Sequence, residues 1–262
     1  MLRIVSYNVH RCLGVDGSIY PRRIAAVIAP CEPDIVALQE LDVGRARTGG
    51  IDQAHAIAEA LGMQMHFHPA LRVMEEQYGD AILTARPSRI VKAGPLPRLA
   101  RWSHLEPRGA LWAAVHVHGA ELQIINTHLG LRGPERLVQM NALLGPEWLG
   151  QAASRGPVIM AGDMNAVPRS RVYQRLAARL CDAQRAPRVR RPQQTFPARL
   201  PMLRIDHVFV CQSIEVLRAS TLRGPVSRVA SDHLPLMVEF QIRRSHERHS
   251  LGTRRTVAAG SS

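Results

Sequence analysis

Val158-Ile159-Met160-Ala161-Gly162-Asp163-Met164-Asn165 is a four-residue apolar run closed by glycine, with two short polar side chains just beyond it. A short apolar run ending in a turn signal reads as a buried strand. A strand end delivers the next side chain to the rim of a sheet, where it meets solvent and substrate. The same pattern recurs along the chain: Asn8 follows residues 3–7, Glu40 follows 35–39, and His128 follows 122–127. Asp206 and His207 open the run 205–210, and Ser231-Asp232-His233 precedes the run 236–241. Residues 81–84 and 110–117 read as two more strands. Amphipathic stretches begin near Pro21, Ile51, Pro134 and Arg169, and this alternation favours an α/β or α+β domain over a bundle or barrel. Pro21 and Pro134 suit first helical turns, where the missing N–H costs nothing. After Pro134, Leu137, Met140, Leu144 and Trp148 recur every three to four residues and predict one helical stripe facing the core.

The 262 residues fit one large domain, residues 1–242, followed by a basic and then small, polar segment, 243–262, that reads as a disordered tail. No apolar run reaches the roughly 18 residues of a membrane-crossing helix, and the start runs straight into a strand pattern rather than a leader. A soluble, cytoplasmic monomer is the expectation, with peripheral contact to an anionic membrane compatible with the charge. The formal charge of +13 attracts polyanions. Against nucleic acid stand Lys92, the only lysine, and an aromatic content of 4%, which leaves few rings for stacking bases. Cys12, Cys31, Cys181 and Cys211 lack zinc or redox spacing and read as reduced, mostly buried thiols. Two loops rich in Pro and Arg, 95–107 with Trp102 and 186–201 with Arg188, Arg190, Arg191 and Phe196, are natural places for substrate choice.

Each polar strand end has a bland reading as a cap or turn former. Their collective content does not: several carboxylates, two amides and at least two histidines, without cysteine. Such oxygen-rich sets suit magnesium or manganese, whereas zinc prefers sulfur and nitrogen.

In this order, Ser6-Tyr7-Asn8, Leu38-Gln39-Glu40, Asn126-Thr127-His128, Gly162-Asp163-Met164-Asn165, Arg204-Ile205-Asp206-His207 and Ser231-Asp232-His233-Leu234-Pro235 resemble the motifs of the endonuclease/exonuclease/phosphatase superfamily. That group includes deoxyribonuclease-I-like nucleases, apurinic endonucleases, inositol polyphosphate phosphatases and neutral sphingomyelinases. The resemblance covers about residues 3–240. It implies a four-layer α/β sandwich, two packed and mostly antiparallel β-sheets flanked by helices, and a magnesium-dependent (or manganese-dependent) phosphoester hydrolase, most simply a phosphodiesterase. Carried over by position, Glu40 would be the principal metal ligand, with Asn8 beside it on the metal or a phosphate oxygen and Asp232 nearby. Asp163 would orient or deprotonate the attacking water, and Asn165 would hold a phosphate oxygen. His233 would contact the phosphate or act as base, with Asp206 orienting its ring. His128 would stabilise the opposite side of the phosphate or protonate the leaving oxygen.

Arg108 resembles a family arginine near the phosphate and reads equally well as an ordinary strand-leading arginine. Tyr78 lies in a recognisable family segment as a substrate contact, although Asp80 stands where many relatives carry Asn. Glu76 could partner His128, but its Glu-rich stretch reads as solvated. His10, His66, His68, His116 and His118 read as structural or exposed. The resemblance leaves two substrate classes, nucleic acid and a lipid or inositol phosphate head group, which share phosphate as their recognised feature. The rival class is a non-catalytic module on the same fold that holds nucleic acid or an anionic membrane; retention of Glu40, Asp163 and His233 argues against it.

Overall fold

The structure is a computed structural model that describes residues 1–73, 75–100 and 104–243. In chain order its strands are β1 Leu2–Asn8, β2 Ile35–Val43, β3 Gln64–Val73, β4 Glu76–Thr84, β5 Ser88–Pro95, β6 Gly109–Val117, β7 Ala120–His128, β8 Val158–Asp163, β9 Cys181–Asp182, β10 Asp206–Val210, β11 Ile214–Thr221 and β12 Leu236–Ile242. They form two six-stranded sheets, ordered β11-β12-β1-β2-β4-β3 and β5-β6-β7-β8-β10-β9. Within each sheet one pair is parallel, β1 with β2 and β7 with β8, and the other neighbours are antiparallel.

Side chains alternate across a strand, and here both faces of each sheet are covered. Ile4, Ile35 and Ala37 of the first sheet meet Leu111, Ala113, Ile124 and Ile159 of the second in the central core. Val5, Tyr7, Val36 and Leu38 point the other way, onto helices α1 (Pro21–Ile28) and α2 (Gln53–Leu61). On the far side, Trp112, Ile125 and Met160 pack against α3 (Gly133–Leu143), α4 (Gln151–Arg155) and α5 (Arg171–Ala177). The layers therefore run helix, sheet, sheet, helix, and the inner strands read as unbroken apolar runs because both of their faces are buried.

Local chemistry sets the helix ends. Asp52 caps α2 by accepting from the His55 N–H at 2.9 Å, and Gly62, at φ 64°, ends it in the left-handed conformation. The stripe expected from Leu137 to Trp148 is not one helix. Gly145 and Pro146, the latter without an N–H, stop α3, and Trp148 sits on a separate turn over Pro146–Gly150, although all four side chains still join the same apolar cluster. The thiols also depart from expectation: all four are free, but only Cys12 is buried, and Cys181 is exposed on the short edge strand β9. Trp102 and the expected tail beyond Arg243 lie outside the described residues. No helix among the described residues is long and apolar enough to cross a membrane.

The two parallel pairs explain how distant residues meet. Parallel neighbours end at the same edge, so the ends of β1 and β2 bring Asn8 and Glu40 together, and the ends of β7 and β8 place His128 beside Asp163 in register. β10 runs antiparallel to β8 and begins at that edge, with Asp206 opposite Asp163. Gly162 makes the close approach possible. Its φ is 141°, and a Cβ there would collide with the Thr127 carbonyl oxygen in the adjoining strand. Gly162→Ala should therefore cost about 3 kcal/mol or more of unfolding free energy, read from urea denaturation; a loss no larger than that of an ordinary surface substitution would remove this account of the glycine.

Candidate active site

Asp163 is the hub of the strand-end cluster. Its carboxylate accepts from the Asn8 amide at 3.0 Å and from the Asn165 backbone N–H at 2.8 Å, and it lies 3.5 Å from His128 Nε2 and 3.7 Å from His233 Nε2. The same Asn8 Nδ2 donates to Glu40 Oε1 at 3.0 Å. Asn8 Oδ1 accepts from the His10 N–H at 3.0 Å, which fixes the amide so that its NH2 bridges the two carboxylates. Glu40 reaches this position from a bulge between Leu38 and Leu41, with φ 62°. Asn165 is likewise held at φ 46°. Non-glycine residues in this region are costly and cluster at functional sites.

Asp206 is 1% exposed, and both its oxygens face His233 Nδ1, at 2.9 and 3.1 Å. Burial lowers the His233 pKa, but Asp206, Asp163 and Asp232 together outweigh it and lift the value to about 10. His233 is thus an imidazolium at neutral pH. Phe196 covers its ring, with centroids 4.8 Å apart. Burial also raises Asp163, with Asp206 adding and His233 opposing, to about 7. His128 is shifted well below its ordinary value by burial, Arg108 and His233, so it is neutral. Arg108 Nη1 donates to its Nδ1 at 3.1 Å, while Asn165 Nδ2 stands 3.1 Å from its Nε2. A neutral imidazole has one lone pair, so only one of these approaches is a hydrogen bond.

These groups open onto a cleft of about 690 Å³ lined by Glu40, Tyr78, Arg108, His128, Asp163, Asn165, Asp232 and His233. Asn8 and Asp206 stand behind that lining. Tyr78 is 3% exposed and carries the Arg47 guanidinium over its ring at 5.4 Å. Arg108 also pairs with Glu106 at 2.9 Å. Asp232 sits at the rim, 3.7 Å from His10 and 4.0 Å from His233. Glu76 is turned away, pairing with Arg45 at 3.3 Å and with the Ala46 N–H. The site includes His10, Arg11, Arg47, Glu106 and Arg136, which the strand-end pattern does not mark. His10 alone carried a signal, two residues beyond Asn8; the arginines come from loops and from α3, where nothing in a basic sequence separates them from the rest.

The profile of the endonuclease/exonuclease/phosphatase family matches residues 5–233. The chain belongs to that family. The family's members are generally hydrolytic enzymes acting on phosphoesters. The uncharacterised protein YbhP of Escherichia coli K12 is 29% identical over 139 residues, covering 52% of this chain and 54% of YbhP, so this chain aligns with about half the length of that relative. The mannosyl-6-phosphatase Bt3783 of Bacteroides thetaiotaomicron superposes with a TM-score of 0.73 at 23% identity, over 92% of this chain and 100% of that one. The human Nocturnin catalytic domain, solved with a bound sulfate anion, superposes with a TM-score of 0.67 at 20% identity, over 92% and 93%. At these identities the likeness establishes the sandwich.

The family's divalent metal has two candidate donor groups here. Asp163, Asp206 and His233 are buried and bring ligand atoms within 4.8 Å of one another, and this group could hold an ion. Both Asp206 oxygens are directed at His233, however, and Asp206 does not line the cleft. Glu40 and Asp163, bridged by Asn8, do reach the cleft with Asp232 near them. All these side chains offer oxygen or imidazole nitrogen and none offers thiolate, which fits a hard divalent cation.

Proposed function

We propose that this chain is a magnesium- or manganese-dependent hydrolase of phosphodiesters. The observation that carries the reading is the Asp206–His233–Asp163 array set against Glu40 and Asn8 at the floor of one open cleft. Glu40, with Asp232, would hold the cation, which when bound supplies charge neutralisation at the phosphate oxygens, leaving Asp163 to take the proton. Asn8, whose amide oxygen is engaged by the His10 N–H, acts as the donor that keeps the two carboxylates apart.

The other roles follow from protonation state. Asp163, with its pKa near 7, is matched to accept a proton from the attacking water at neutral pH. The His233 imidazolium donates to a phosphate oxygen and offsets its charge, held in orientation by Asp206. The neutral His128, approached by donors at both nitrogens, is placed to orient rather than to protonate the leaving oxygen. Arg108, Tyr78 and Asn165 line the same cleft, where they would bind the phosphate. A single anionic diester matches the balance of the cleft, in which Arg108 is already paired with Glu106.

The test is hydrolysis of a chromogenic phosphodiester, DNA, RNA, phospholipid vesicles and inositol phosphates with added magnesium or manganese and with chelator. Metal-dependent turnover is expected on at least one diester. Glu40→Gln should raise the metal concentration needed for half-maximal activity by at least about 10-fold. Silence across the panel, or turnover indifferent to chelator, would defeat the reading and bring a non-catalytic anion-binding role forward.

A further inference from the structure

Beside the catalytic cleft runs a second groove, of about 350 Å³, whose walls are Val167, Pro168, Pro192, Met202 and Leu203, with Arg204 at its base. Val167 and Leu203 also line the cleft, so the two spaces share a wall and an apolar strip leads from the phosphate position outward. Val167, Met202, Leu203 and the neighbouring Leu200 are all exposed, an unusual concentration of large aliphatic side chains at one edge of a soluble fold.

Two of the polar side chains bordering the groove, Arg204 and Gln193, are engaged elsewhere, while the exposed Arg169 and Gln194 also border it. Arg204 Nη2 pairs with Asp182 and contacts the Tyr173 hydroxyl at 3.2 Å, so its charge is cancelled internally. Its Nε and Nη1 make no hydrogen bond and are shut off from solvent. Gln193 Oε1 accepts from the Thr221 N–H and hydroxyl at 2.7 and 2.8 Å. None of the described residues that line the groove is aromatic, so they offer no platform on which a nucleobase stacks. Aliphatic walls with a flexible Met202 instead suit a hydrocarbon chain.

Resting on the proposed phosphodiesterase reading, we infer that the groove between Val167–Pro168 and Met202–Leu203 is a substrate subsite that takes an aliphatic chain of an amphiphilic phosphoester whose phosphate lies in the cleft. The ester bond is then presented at the cleft while the chain removes Val167, Met202 and Leu203 from water.

Calorimetric titration of n-alkylphosphonates, ethyl to decyl, into the magnesium-loaded protein tests the subsite without turnover. Each methylene that enters the groove should tighten binding by up to about fourfold until the groove is filled, and Met202→Ser, at an exposed position, should shrink the decyl-to-ethyl affinity ratio. Affinity that does not rise with chain length, or a ratio unchanged in Met202→Ser, overturns the proposal. So does a nucleoside monophosphate binding more tightly than every alkylphosphonate. A protein that shows the chain-length gain but hydrolyses no diester keeps the subsite and loses the hydrolase reading; an active enzyme with a flat series does the reverse.

Discussion

Asp163→Asn should reduce turnover of a phosphodiester by about 10³- to 10⁴-fold while changing thermal stability little, the relief of a buried charge offsetting one lost hydrogen bond. The two expectations together isolate the chemistry. Asparagine keeps the shape of the side chain and one of its two acceptors: its Oδ1 can still accept from the Asn165 N–H, bound at 2.8 Å, while its NH2 replaces the oxygen that the Asn8 amide meets at 3.0 Å. It cannot take a proton from water. Burial is the largest influence on Asp163 and disfavours its charged form, with Asp206 adding to the effect. Removing that charge therefore relieves a folded-state cost rather than creating one. As base, Asp163 must be ionised, so wild-type activity should rise with pH through an acid limb near 7 in weakly bound metal, and at lower pH as metal saturates, because a cation favours the carboxylate. The limb should vanish in the variant. A melting temperature that falls in step with activity would make Asp163 a structural residue instead.

The fold was legible where both faces of a strand are buried. Residues of β1, β2, β7 and β8 read as continuous apolar runs because the central core takes one face and helices take the other. The edges were harder to read. β3 mixes His66, His68 and Pro69 among half-buried positions, β5 carries Arg89 and Lys92, and β11 alternates with Glu215 and Arg218. Each is covered on one side only or lies at the rim of a sheet, so its pattern competes with that of a loop. At the site, the residues that terminate strands could be named in advance because strand ends are countable in sequence. Strand ends alone do not rank their pairing: Asp206 as the partner of His233 comes only with the family resemblance, and in the fold it is the antiparallel register of β10 on β8 that puts Asp206 under the ring. The Arg47 stack on Tyr78 and the occupied oxygen of Asn8 depend instead on the turns that follow β2 and β1 in the first sheet, whose geometry the sequence pattern does not carry.

His233→Ala should lower turnover about 10³-fold and Asp206→Asn about 10²-fold, and the second variant carries the more informative result because it leaves the imidazole in place. Burial alone would make His233 neutral; Asp206 is the foremost of the carboxylates that reverse this and bring the pKa to about 10. Without the Asp206 charge the imidazole loses its largest stabilising neighbour, its pKa falls, and the imidazolium is surrendered at lower pH. The alkaline limb of the activity profile should then move toward acid. Asp206 also raises Asp163, so its neutralisation lowers that pKa too and shifts the acid limb in the same direction. The signature is a bell displaced as a whole to lower pH, with the His233 ring titrating lower by NMR. A residue acting only as a packing group would reduce the height of the bell without moving it. Turnover and both limbs unchanged in Asp206→Asn would dissolve the dyad, and would leave Phe196, tilted against the same ring with centroids 4.8 Å apart, as the group that positions His233.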